Sequence, residues 1–184
     1  MNRRTLLTSA APVIALSGLI VGCSVLTETT TNGVTTITIN VAKVNQYAEA
    51  FASGVATVLG VPGVALMLGV YLAPFQAIAG TIVQDIAAFN TASGGQSVLT
   101  FDATSVPAAV NSILADGQKI LNTIAKALPQ TTIVGTLLSA IDAVQTIVLL
   151  FEAMLPATVG ATFAAVPRIG PMTEVDALAV LGVR

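Results

Sequence analysis

Apolar positions recur along most of the chain with the period of an α-helix, and one short region alternates with period two instead. In Thr36-Ile37-Thr38-Ile39-Asn40-Val41 every second residue is apolar, the pattern of a half-buried strand. Asn32-Gly33 lies just upstream and readily supplies the two positive φ values of a type I′ turn. These signals predict a hairpin with strands near Val25–Thr31 and Val34–Val41. A tether leading into a single strand stays open as the alternative, because Thr27-Glu28-Thr29-Thr30-Thr31 has no apolar face.

From Ala42 the period lengthens. Val44, Ala48, Phe51, Val55, Val58 and Leu59 fall on one helical face, and Lys43, Asn45, Gln46, Glu49 and Ser53 on the other, which predicts an amphipathic helix ended by Pro62-Gly63. An apolar stretch from Val64 to Tyr71, closed by Pro74, and a third helix from Phe75 to Phe89 follow. Ala92-Ser93-Gly94-Gly95-Gln96 reads as a loop, and Ser97–Asp102 as a short strand that could extend the hairpin. Ser105 then reads as an N-cap, with Pro107 in the first turn. The helix it starts sets Val110, Ile113, Leu114, Leu121, Ile124 and Leu128 against a polar face of Asn111, Asp116, Gln118, Lys119, Asn122 and Lys126. That second face is expected to meet water, and Pro129 to stop the helix.

Thr131–Leu155 is the most apolar of the long helices. Thr132, Thr136, Ser139, Asp142, Thr146 and Glu152 keep near a narrow stripe on it, and a helix so patterned is expected to be mostly buried, with one wet or partnered seam. Thr173 is placed to cap a short final helix, with Glu174 and Asp176 in its first turn. The fold class expected is mainly α: a bundle of about four to five helices with a small N-terminal β-hairpin or tether.

The first residues have a different logic. Arg3 and Arg4 form a positive start, and Thr5–Val21 carries no charge, the layout of a secretory signal. The run ends in Ile20-Val21-Gly22-Cys23, which resembles the lipobox of bacterial lipoproteins. That resemblance covers about the first 23 residues and implies cleavage before Cys23 and acylation of its sulfur. Membrane lipid would then be a partner through Cys23, since acyl chains contribute about 0.8 kcal/mol per buried CH₂. Asn2-Arg3-Arg4-Thr5-Leu6-Leu7 also looks like a twin-arginine export signal, without its usual flanking hydroxyl and basic residues. In lipoproteins of this type Asp after the Cys favours the inner membrane; Ser24 stands there, so the resemblance points to the periplasmic side of the envelope and favours the outer membrane in a Gram-negative host. The expected organisation is a signal at 1–22, a Thr-rich tether or hairpin at 23–41 and a helical domain at 42–184.

Composition narrows the function. The 184 residues are 54% hydrophobic and 9% charged, with one Cys, no His and no Trp, and a mean hydropathy of +0.88. Ordinary soluble domains carry roughly a quarter charged residues. A net charge of -2 with seven Lys and Arg offers no basic stripe, so nucleic acid is not an expected partner. Without His, and with a lone Cys, the commonest general base and metal ligands are missing. Gly94-Gly95 has no following Lys to make a phosphate loop, and Lys43, Lys119 and Lys126 all lie on polar faces, away from a Ser-Lys pair. No catalytic residues, cofactor or metal are therefore expected.

Ala50–Gln84 holds no charge over 35 residues, which marks a candidate span by hydropathy. Its cluster of Gly60, Pro62, Gly63 and Gly69 and its lack of basic flanks weigh against that. Thr131–Leu155 is a second candidate, but Asp142 near its middle would cost roughly 2.5–3.5 kcal/mol in a bilayer. Three readings stand at this level. The first is a non-enzymatic, lipid-anchored envelope protein whose helical domain has a structural role or binds a protein partner, or a second copy, through apolar helix faces. The second is a small integral membrane protein (a pore, a holin-like product or an accessory subunit) with 50–84 inserted. The third is a carrier of an apolar ligand.

Overall fold

The computed structural model describes residues 26–31, 34–102, 104–129, 133, 135–155 and 172–183. Arg3, Arg4, Cys23 and the Asn32-Gly33 turn lie outside them. The period-two segment is a strand, β2 (Val34–Asn40), flanked by β1 (Leu26–Thr31) and β3 (Val98–Asp102) in an antiparallel sheet of order β1-β2-β3. Thr31 pairs with Val34, and Leu26 with Ile39. Ile37 faces Phe101 and Ile39 faces Leu99, so the apolar half of β2 is buried against the helices while Thr38 meets Thr100 through their hydroxyls, 2.9 Å apart.

Asn40 ends the strand and starts α1 (Val41–Gly60): its Oδ1 accepts from the Lys43 amide at 3.1 Å, satisfying a donor with no partner inside the helix. After α1 come a short helix α2 (Val64–Leu68), a 3₁₀ turn over Gly69–Tyr71 and α3 (Leu72–Ser93). Pro74 does not bound α3 as its position suggested. It sits in the first turn, where an N–H would have no helical acceptor, so its missing donor is harmless there.

The next helix, α4, spans Ala108–Ala127, and Pro107 rather than Ser105 is its N-cap, with no side-chain cap bond. α5 covers Gly135–Glu152 and α6 covers Glu174–Val180. Thr173 caps α6 as its sequence indicates: its Oγ1 accepts from the Asp176 amide at 3.2 Å and donates to Asp176 Oδ2 at 2.6 Å.

α1 and α4 form a central layer, with α3 packed on both from one side and α5 on both from the other; α6 packs on α5. The approach is close at two glycines. A Cβ on Gly117 would lie 2.7 Å from the Phe51 ring, and one on Gly54 would lie 2.6 Å from Val144 Cγ2. Phe51 and Tyr47 of α1 meet Phe151 of α5, with ring centroids 6.1 and 6.2 Å apart. All three rings are buried, and burying one such ring contributes about 2–3 kcal/mol. The sheet closes the end of the bundle where α1 begins. The α1–α3 turn stands at the other end.

Candidate functional site

Among the described residues no group of three or more His, Cys, Asp or Glu is placed to hold a metal ion. Of the polar stripe on α5, Asp142 is buried and Thr146 donates back to its carbonyl at 2.8 Å. The Ser139 hydroxyl likewise bonds its own helix, at the Gly135 carbonyl (3.3 Å). Glu152 turns to α4, where its Oε1 accepts from Gln118 Nε2 at 2.8 Å. Ser139 and Asp142 stand about one turn apart on α5, and Glu152 at its end reaches α4.

The polar face of α4 is a correction to the sequence reading. Asp116 is 1% exposed and Gln118 8%, so only part of that face meets water. Asp116 keeps its charge partnered through Lys119 Nζ, 2.6 Å from its Oδ1, the lysine stem reaching out to solvent.

At the α6 end of the body, Lys43 pairs with Glu174 and its ammonium stands 5.7 Å from the Tyr47 ring centroid. Burial pushes the Tyr47 phenol far above its ordinary range, and the negative charge of Glu174 adds to the shift. Ser53 donates to the Leu181 carbonyl, fixing α6 to α1. A groove of about 650 Å³ lies beside these contacts, lined by Lys43, Gln46 and one side of α6. On the sheet, hydrogen bonds from the Thr104 hydroxyl and amide hold the exposed Asp102 carboxyl below its usual range.

The unusual surface is apolar. α1 stops because Pro62 has no N–H to continue the ladder, and Gly63 then takes a φ of +86°, open to glycine at no steric cost. Gly69, at φ +51°, makes the second bend. Between these bends Val64 and Leu68, four residues apart, both point into the core, at 0% and 1% exposure. Their neighbours are thereby turned outward. Leu66 and Val70 are each 86% exposed, with Met67 and Tyr71 beside them. Along α3, Phe75, Ile78, Ile82 and Phe89 face inward, while Ala73, Ala77, Gly80, Val83, Ala87 and Ala88 are partly or fully open.

Two helical stretches are long and apolar enough to cross a membrane, Val64–Ser93 and Gly135–Glu152, but they are used differently. The most apolar part of the second is 56% buried, as in a core helix; that of the first is 22% buried, with a mean hydropathy of 1.7. Composition placed both regions under one heading, and the fold separates them. The apolar helix α5 is inside the body, and the apolar α1–α3 turn is outside it. Comparison with protein-family models, with curated proteins and with solved structures finds no match to this chain.

Proposed function

We propose that this protein is a lipid-anchored component of the bacterial cell envelope whose helical body binds rather than catalyses. The carrying observation is the uncovered apolar surface of Leu66, Met67, Val70 and Tyr71. Side chains of this kind side by side in water mark a binding surface. The N-terminal pattern that resembles a lipobox supports the anchor, with Cys23 as the acylated residue. A chain without His lacks the commonest general base, which supports a binding body rather than a catalytic one.

Two measurements test the reading together. Labelled palmitate should enter the wild-type chain and not Cys23→Ala, and the mature N-terminus should begin at Cys23. Incorporation into both chains, or into neither, overturns the anchor. An integral protein with 50–84 inserted is the second reading, favoured by the low burial of Val64–Ser93. It requires the chain to resist alkaline carbonate extraction when Cys23 is substituted and the signal removed.

A further inference from the structure

Three features of the α1–α3 turn bear on what covers it. The first is where charge stops. On α1 the last charged residue is Glu49 and on α3 the first is Asp85. At 1.5 Å per residue these lie about 17 Å and 20 Å behind the ends of their helices at Gly60 and Leu72. That is beyond a Debye length of about 8–10 Å, so neither carboxylate repels an anionic surface that meets the turn.

The second is Lys126. Gly117 touches Phe51, α4 contacts both α2 and the 3₁₀ turn, and α4 runs nine residues further to Lys126, about 13 Å. This places Lys126 level with Gly60, behind the apolar turn, as an exposed cation. The third is Tyr71, 40% exposed at the edge of the Leu66–Val70 patch. A phenol has an apolar body and a polar tip, and favours the boundary between acyl chains and headgroups. A protein partner usually presents a polar rim, and the turn offers it no charged side chain between Ala50 and Gln84.

We propose that the α1–α3 turn is a wedge that enters the surface of a bilayer carrying anionic headgroups. Leu66, Met67 and Val70 sit among the acyl chains, Tyr71 at the boundary, and Lys126 on the phosphates. The inference rests on the binding role given to this surface and goes further by naming its occupant. An apolar face set about 5–10 Å into the interface is the usual depth for such attachment.

The chain has no Trp, so a single one reports its own surroundings. The full chain carrying Val70→Trp is mixed with vesicles of phosphatidylglycerol and phosphatidylethanolamine, and compared with Val175→Trp on α6, a site 75% exposed on the far side of the body. The emission of Val70→Trp should move to shorter wavelength and be quenched by brominated acyl chains, with Val175→Trp unchanged. Leu66→Trp repeats the test at an equally exposed site, and circular dichroism verifies that each variant is folded. Lys126→Gln should lower vesicle affinity of the turn about fivefold, the worth of one basic residue at an anionic surface. Absence of quenching at 66 and 70 overturns the proposal, and so does equal quenching at 175. A blue shift in buffer alone, together with the mass of a dimer, also overturns it, in favour of a second copy as occupant. Palmitate on Cys23 is read separately, so loss of the anchor and loss of the wedge give different results.

Discussion

Leu66 and Leu68 are two residues apart on one short helix, and the structure gives them opposite work. Leu68 is 1% exposed and packs with Val64 and the core; Leu66 is 86% exposed. Leu68→Ala removes buried carbon and leaves a cavity, which costs about 2–5 kcal/mol depending on how far the site collapses. Leu66→Ala removes a side chain that has surrendered only about a seventh of its surface. With full burial of a Leu contributing about 1.5–3 kcal/mol, the expected loss is about 0.2–0.4 kcal/mol. Urea unfolding of both variants in vesicle-free buffer, followed by far-ultraviolet circular dichroism, separates the two values cleanly. The slope should be common to both variants, so the midpoints carry the difference. Equal costs at the two positions would refute the account, because Leu66 would then be part of the core and the apolar turn would not be open.

Two other predictions concern the body. Gly117→Ala gains up to about 1 kcal/mol of helix propensity but drives a methyl to within 3.0 Å of three ring carbons of Phe51. The ring is held against Phe151, so overpacking of about 1–3 kcal/mol outweighs the gain, and the cost should shrink when Phe51→Leu is made in the same chain; a Gly117→Ala variant more stable than wild type refutes the close α1–α4 approach. The raised Tyr47 phenol makes stability pH-dependent on the alkaline side. An unfolded tyrosine ionises near about pH 10 while the folded one stays neutral, so its contribution is complete below that pH and declines as pH rises through it. Unfolding curves should show this decline and Tyr47→Phe should flatten it; an unchanged decline in Tyr47→Phe refutes the assignment.

Much of the fold is legible in the sequence because the signals act locally. The alternation of Thr36–Val41 specifies β2, Val44 to Val58 specify the inner face of α1, and Thr173 with Asp176 specifies the start of α6. What hydropathy does not carry is which neighbour a face meets. Asp116 and Gln118 lie on a polar stripe, yet burial reaches them because α4 is enclosed by α1, α3 and α5, and Lys119 and Glu152 provide the partners. Ser105 has the right side chain for a cap, but α4 begins three residues later, after Pro107. The apolar turn is the clearest case. Val64, Leu66, Leu68 and Val70 are alike in composition; helical spacing groups the first with the third and the second with the fourth, and the bends at Gly63 and Gly69 set the first pair inward and the second outward.

The most direct test of an occupied apolar turn is chemical access in native membranes. Val70→Cys and Val175→Cys are exposed to a membrane-impermeant maleimide before and after detergent. An occupied turn leaves position 70 protected in membranes and reactive in detergent, with position 175 reactive in both. Labelling of position 70 in membranes at the rate seen for position 175 would contradict the account.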